Sequence, residues 1–167
     1  MGLPPEATTM SVDGDTFRTV MGNFATGVTV MTLPEPHGMT ANAVSSVSLD
    51  PPLVLVCVDH DTECYELLEG GTDAYCLNIL AEDQRDLGEY YADMLDLETD
   101  PFEDRRTTTA ETGAPVFENA IGFLDCRAEA AHEAGDHTIY VGRVEAAELL
   151  DAEADPLLFF RGAWEEL

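Results

Sequence analysis

The last third of the chain reads as a hairpin, and a hairpin commits the sheet that contains it to antiparallel pairing. Leu124, Cys126, Ala128 and Ala130 alternate with Asp125, Arg127 and Glu129, the period-two pattern of a half-buried strand. Glu133-Ala134-Gly135-Asp136 supplies the turn, and residues 137–149 return antiparallel. The rest of the chain has to be compatible with that arrangement.

Upstream, VTVMT (28–32) and LVLVCV (53–58) predict strands, the second buried on both faces because its apolar run is unbroken. LPEPHG (33–38) carries turn chemistry, and a further strand starts near Met39. AYCLNIL (74–80) predicts another strand, and LLFFRGAW (157–164) a last one. Helical periodicity is confined to short stretches. Asp13 or Asp15 caps a helix with Phe17, Val20, Met21 and Phe24 on one face and Gly27 at its end. Cys64, Leu67 and Leu68 mark a second, stopped by Gly70-Gly71. Leu87, Tyr90, Tyr91 and Met94 mark a third. Residues 1–12 read as a flexible arm before a single domain over 13–167, and residues 95–117 as a long surface excursion. The expectation is a mainly β fold of about six strands, a small β-barrel with helical decoration. No strand–helix–strand alternation and no G-x-G-x-x-G turn is present, which excludes a Rossmann domain.

Charge narrows the function. Asp and Glu number 34 against 7 basic residues, all arginine, for a net charge of −27. In dilute buffer that self-repulsion opposes the compact state; in molar salt the Debye length falls to about 3 Å and the repulsion is silenced. Acids spread along the whole chain therefore predict a halophile's acidic protein. Nucleic-acid binding is disfavoured, because phosphate contacts need a basic face. No apolar run approaches the roughly 20 residues of a membrane span, and the first residues lack a basic start and an apolar core. A cytoplasmic location is expected. Cys57, Cys64, Cys76 and Cys126 form no C-x-x-C pair and the four histidines no metal-like set, so no metal is expected. A serine elbow, a P-loop and a zinc-protease helix are all absent, which turns attention to a borrowed cofactor.

Four places could hold one. In GMTANAVSSVSLDPPLVLVCV (38–58), Thr40, Asn42, Ser45, Ser46 and Ser48 precede a buried strand, launched by Asp50-Pro51-Pro52. Loop hydroxyls and backbone N–H groups hold a phosphate without lysine; they also satisfy their own backbone. Asn78 lies in an apolar strand, where the edge of a planar heterocycle or a neighbouring backbone must partner its amide. The helix start at Glu82 exposes further N–H groups. His137 sits past the hairpin turn at a strand mouth, where it can reach a ligand. Arg161, between Phe160 and Gly162, suits a phosphate or a carboxylate.

Five blocks in this order, FRTVMGNFATGVTVMT (17–32), GMTANAVSSVSLDPPLVLVCV (38–58), CLNILAEDQ (76–84), AGDHTIYVGRV (134–144) and LLFFRG (157–162), resemble the flavin reductase family. The resemblance implies an FMN-binding split β-barrel, a Greek-key antiparallel barrel with a few short peripheral helices. It also implies hydride transfer from NADH or NADPH to FMN or FAD, with reduced flavin passing to a partner flavin-dependent monooxygenase. By the same resemblance, Thr40, Ala41, Asn42, Ser45, Ser46 and Ser48 hold the ribityl chain and phosphate. Asn78, Leu80, Ala81 and Gln84 border the isoalloxazine ring, His137 faces the nicotinamide, and Arg161 assists. A homodimer with flavin near the subunit boundary is implied as well. The chain departs from the family's mixed charge in lacking lysine, so phosphate contacts fall to arginine, hydroxyls or backbone. Alternatives are an FMN-retaining electron-transfer flavoprotein and a non-catalytic flavin-binding module. A pyridoxamine-phosphate type oxidase would need more basic phosphate ligands.

Overall fold

The structure, a computed structural model, describes residues 11–167. Residues 1–10 of the expected arm lie outside the described residues. In chain order the elements are α1 (Gly14–Met21), β1 (Thr26–Gly27), β2 (Thr29–Leu33), β3 (His37–Ala41), β4 (Val44–Leu49), β5 (Pro52–Asp59), α2 (Glu63–Glu69) and β6 (Ala74–Ile79). A single 3-10 turn (Glu82–Gln84) leads to α3 (Arg85–Tyr90), then α4 (Pro101–Asp104), β7 (Thr107–Thr109), β8 (Pro115–Phe117), β9 (Gly122–Ala134), β10 (His137–Leu149), β11 (Leu158–Phe160) and β12 (Ala163–Glu165).

Seven strands form one antiparallel sheet in the order β3-β2-β6-β9-β10-β5-β4. Strands β3 and β4 are its two edges, yet only Asn42 and Ala43 separate them in sequence. Three peptide steps reach at most about 11 Å, so the sheet has to curl until its edges meet. The result is the expected antiparallel split barrel, with its seam at Asn42-Ala43. There the Cys57 N–H donates to the Ala43 carbonyl at 3.0 Å. The β9–β10 hairpin is longer than the sequence predicts, 13 residues on each side of a two-residue turn at Gly135-Asp136. Gly135 adopts φ +68°, which a side chain would resist.

Strand β2 is buried throughout because both of its faces are covered. Met31 and Leu33 join Val54, Val56 and Leu77 in the barrel core, which Cys64 and Leu68 of α2 close. Val28 and Val30 pack outside it against Leu80, Leu87, Phe117 and Leu157.

Several expectations are corrected. LVLVCV is buried on one face only: Val54, Val56 and Val58 point inward, while Leu53, Leu55 and Cys57 are half-buried. The serine-rich stretch is a strand, β4, rather than a loop, because β5 offers it a hydrogen-bonding edge. Helix α1 is capped by Asp13, whose carboxylate accepts from the Thr16 N–H at 2.8 Å. It stops at Met21 instead of running to Gly27, and none of its residues is buried. The 95–117 segment is partly core: Ala114, Val116 and Phe117 are completely buried. Asp125 anchors it by accepting from the N–H groups of Glu111 and Thr112, each at 2.8 Å.

All four cysteines are free. Burial, with Glu63 nearby, pushes the Cys64 thiol up to about 12. Burial, with Asp125 and Glu145, pushes Cys126 up to about 12, and Cys76 is pushed higher still. Because the thiolate is the reactive form, a maleimide at pH near 8 should label only the half-buried Cys57 of the folded chain. Mass spectrometry after labelling checks this; Cys64 reacting as fast as Cys57 would refute it.

Candidate functional site

Two cavities flank the seam, with volumes of about 780 Å³ and 360 Å³. Both fall within the usual span for small-molecule sites. Ala41 and Asn42 line both.

The larger cavity is built on β3, on Cys57 and Asp59 at the end of β5, and on His137 at the start of β10. Its opposite wall is Tyr90, Tyr91 and the segment from Leu95 to Phe102. The end of α3 is fastened to the outer edge of β3. The Thr40 N–H donates to the Tyr91 carbonyl at 3.0 Å, and the Thr40 hydroxyl to the Gly88 carbonyl at 2.6 Å. The Tyr91 ring packs against Gly38, where a Cβ would stand 2.7 Å from the ring carbon Cε1. The Tyr91 hydroxyl is buried without a partner.

His137 pairs across the sheet with Asp59. Its Nδ1 donates to the Asp136 carboxylate at 2.7 Å, and this bond holds the Asp136 carboxyl below the usual carboxylate range. Nε2 is thereby left for a ligand, with the side chain 40% exposed. His37, the other histidine of the cavity, faces Glu63 at 3.5 Å.

The smaller cavity is apolar. Val28, Leu77, Ile79 and Leu124 line it, and Phe24 to Thr26 border it. Asn42 Nδ2 donates to the Thr26 hydroxyl at 3.2 Å across the seam.

Thr40, Ala41, Asn42 and His137 thus come together at the larger cavity. Ser45, Ser46 and Ser48 line neither cavity; they lie on β4, a sheet edge paired only with β5. Ser45 donates to the Ser46 carbonyl at 3.2 Å, whereas Ser46 is exposed. Along such an edge, alternate backbone N–H groups face outward. Asn78, Leu80 and Gln84 are completely buried and Ala81 is 5% exposed, so none of these side chains borders open space. Asn78 finds backbone rather than a heterocycle. Its Nδ2 donates to the Val30 carbonyl at 3.2 Å, and its Oδ1 accepts from the Phe117 N–H at 2.9 Å. Gln84 caps the 3-10 turn through the Ala81 N–H at 2.9 Å. Arg161 pairs with no carboxylate among the described residues: its Nε donates to Asn23 at 2.9 Å and its guanidinium covers the Phe160 ring at 4.8 Å. The sequence reading missed Tyr91 and Phe102 as cavity walls, and Thr26 at the seam. Tyr91 was legible only as one position of an amphipathic helix.

The family model described as flavin reductase like domain matches residues 21–167. An NADH-dependent flavin reductase from a Rhodococcus species is 39% identical over 99% of this chain and 90% of its own. The reductase subunit HsaB of a flavin-dependent monooxygenase from Mycobacterium tuberculosis is 34% identical over 90% of this chain and 81% of its own. Among solved structures, flavin reductase PheA2 superposes with a TM-score of 0.84 at 38% identity, covering 93% of this chain and 99% of that one. The Streptomyces globisporus NADH:FAD oxidoreductase SgcE6, solved with NAD and FAD fragments, gives 0.83 at 35% identity over 93% of each chain.

Proposed function

The chain belongs to the flavin reductase family, and from that membership we propose where its two nucleotides sit. It is an NAD(P)H-dependent flavin oxidoreductase: a hydride and a proton reduce FMN or FAD as the nicotinamide is oxidised. The flavin ring lies across the seam over Ala41 and Asn42, its phosphate along the free edge of β4, and the nicotinamide in the larger cavity beside His137. One observation carries this reading: Ala41 and Asn42 line both cavities. A ring resting there can be met face to face from the larger cavity, and direct transfer requires the reacting atoms about 3–3.5 Å apart.

The residues fit the flavin. Serine hydroxyls and outward-facing N–H groups on β4 can take a phosphate without a cation, as the lack of lysine demands. Bound flavin supplies the electron-accepting ring. The chain's own part is alignment and exclusion of water: Asp136 fixes the His137 ring, His137 Nε2 holds the nicotinamide, and Tyr91 walls the cavity. No residue has to shuttle a proton. Anaerobic mixing of the protein with FMN or FAD and NADH in molar salt tests the function, and an unchanged oxidised-flavin absorbance would refute it. Ser46→Ala should weaken FMN about three- to tenfold, the loss of one charge-assisted hydrogen bond, and leave riboflavin affinity nearly unchanged. Equal losses for both ligands would remove the phosphate from β4.

Reduced flavin leaves this reductase to serve a separate flavin-dependent monooxygenase, the kind of partnership that HsaB's name states for that protein. We read the active form as a homodimer. Phe17, Val20 and Phe24 around α1 are 60%, 65% and 71% exposed, and Leu49 on β4 is 94% exposed. Apolar surface of that extent needs a cover, and a second copy placing it beside β4 would border the flavin.

The acidic surface fits molar salt. Raising KCl from 0.1 M to 2 M should lift Tm by about 10 °C, as repulsion worth a few kcal/mol is screened. A melting curve indifferent to salt would end the halophile reading.

A further inference from the structure

We infer that His37 anchors the pyrophosphate of the nicotinamide nucleotide, at the far end of β3 from the seam. The inference rests on the reading that the larger cavity takes that nucleotide.

Strand β3 runs along the cavity, and every residue from His37 to Ala41 lines it. Ala41 is where the flavin ring is placed. Four steps of about 3.3 Å carry the strand from there to His37, about 13 Å away. A nicotinamide stacked on the flavin can therefore lay its ribose and phosphates along β3, and His37 stands where the phosphates fall.

The two histidines of the cavity are built alike. His137 Nδ1 donates to Asp136 at 2.7 Å, and His37 Nδ1 faces the Glu63 carboxylate at 3.5 Å. In both, the acid takes Nδ1 and leaves Nε2 for a ligand, and the His37 side chain is 31% exposed. Doubly protonated, the His37 ring serves Glu63 from one nitrogen and a phosphate oxygen from the other. The second contact is a charge-assisted hydrogen bond.

The other donors of the cavity are already engaged. No arginine lines it, and the chain has no lysine. The Thr40 and Thr62 hydroxyls donate to the Gly88 and Asp59 carbonyls at 2.6 Å and 2.7 Å. Asn42 donates to Thr26 at the flavin end. Tyr90 stands near Asp100, Asp96 and Asp93, whose charges repel a further anion. Of the side chains that line the cavity, only His37 and His137 can bring positive charge to a pyrophosphate dianion. His137 is taken by the nicotinamide.

The test uses the flavin-loaded protein in molar salt and two hydride donors. One is NADH; the other is N-benzyl-dihydronicotinamide, which carries the same reacting ring and no phosphate. His37→Ala should raise KM for NADH about tenfold, the loss of one hydrogen bond to a charged group. Its kcat should stay within about twofold, as for lost uniform binding, and kcat/KM for N-benzyl-dihydronicotinamide should also stay within about twofold. His37→Gln, which keeps only a neutral donor, should lose nearly as much. His37→Arg, which keeps the cation, should recover most of the loss. Calorimetry with NAD+ should rank the variants in the same order. An NADH KM unmoved by His37→Ala, equal losses for the two donors, or His37→Arg no better than His37→Ala overturns the inference, as does a wild-type protein that binds no NAD+. NAD+ binding that weakens in His37→Ala while the wild type oxidises no NADH would instead overturn the reductase reading and leave the anchor standing.

Discussion

Gly142→Ala will destabilise the barrel by about 3 kcal/mol or more, the upper end of the cost of overpacking a core. Gly142 lies in β10 beside a register shift against β9, with Tyr75 of β6 filling the space a side chain would take. A Cβ there would stand 2.7 Å from Tyr75 Cζ, closer still to its hydroxyl, and 3.0 Å from the Cys126 Cβ. Tyr75 is completely buried and among the largest core side chains, so its ring has nowhere to swing. Its hydroxyl has no partner, and burial pushes the phenol's pKa up. Tyr75→Phe should therefore be neutral or stabilising by about 1 kcal/mol, because it deletes an unpaired buried polar group. Combined with Gly142→Ala it should recover part of the loss, a non-additivity expected of residues in contact. Thermal melts in one salt buffer decide it. A Gly142→Ala protein melting within two or three degrees of wild type, as a small change would give, would mean β10 yields at that point.

His137→Ala is expected to slow flavin reduction about 100-fold, the scale of a misplaced reacting pair, while flavin affinity changes less than about threefold. The imidazole is held by Asp136 from the turn and by the pairing of β10 with β5, so its position belongs to the barrel. Asp136→Asn, which keeps a hydrogen-bond acceptor but loses the charge, should slow reduction less than His137→Ala. Anaerobic stopped-flow reduction and a flavin titration separate the two effects. Equal reduction rates in His137→Ala and wild type would take His137 out of the nicotinamide site.

How far the site was legible depends on the range of the forces involved. The position of His137 at a strand mouth was legible because a hairpin turn is written in neighbouring residues, Gly135 and Asp136. Which of its two open alternatives Asn78 takes was illegible, because its backbone partners, Val30 and Phe117, lie 48 and 39 residues away and nothing near Asn78 announces them. The Arg161 side-chain partner was illegible for the same reason, since Asn23 is 138 residues distant. Ser45 to Ser48 were expected to be a loop because serine hydroxyls bond their own backbone in competition with a ladder; the edge of β5 overrode that local preference.

By itself the sequence determined the antiparallel hairpins, the short amphipathic helices, the acidic surface and the family, all of which rest on spacing, composition or ordered motifs. Only the tertiary structure decided that the sheet closes at Asn42-Ala43, that residues 114–117 enter the core, and that Tyr91 walls a cavity without an arginine. Each of these depends on which distant strand edge or helix end meets which, and that outcome is set by closure of the whole sheet rather than by the period of any segment in it.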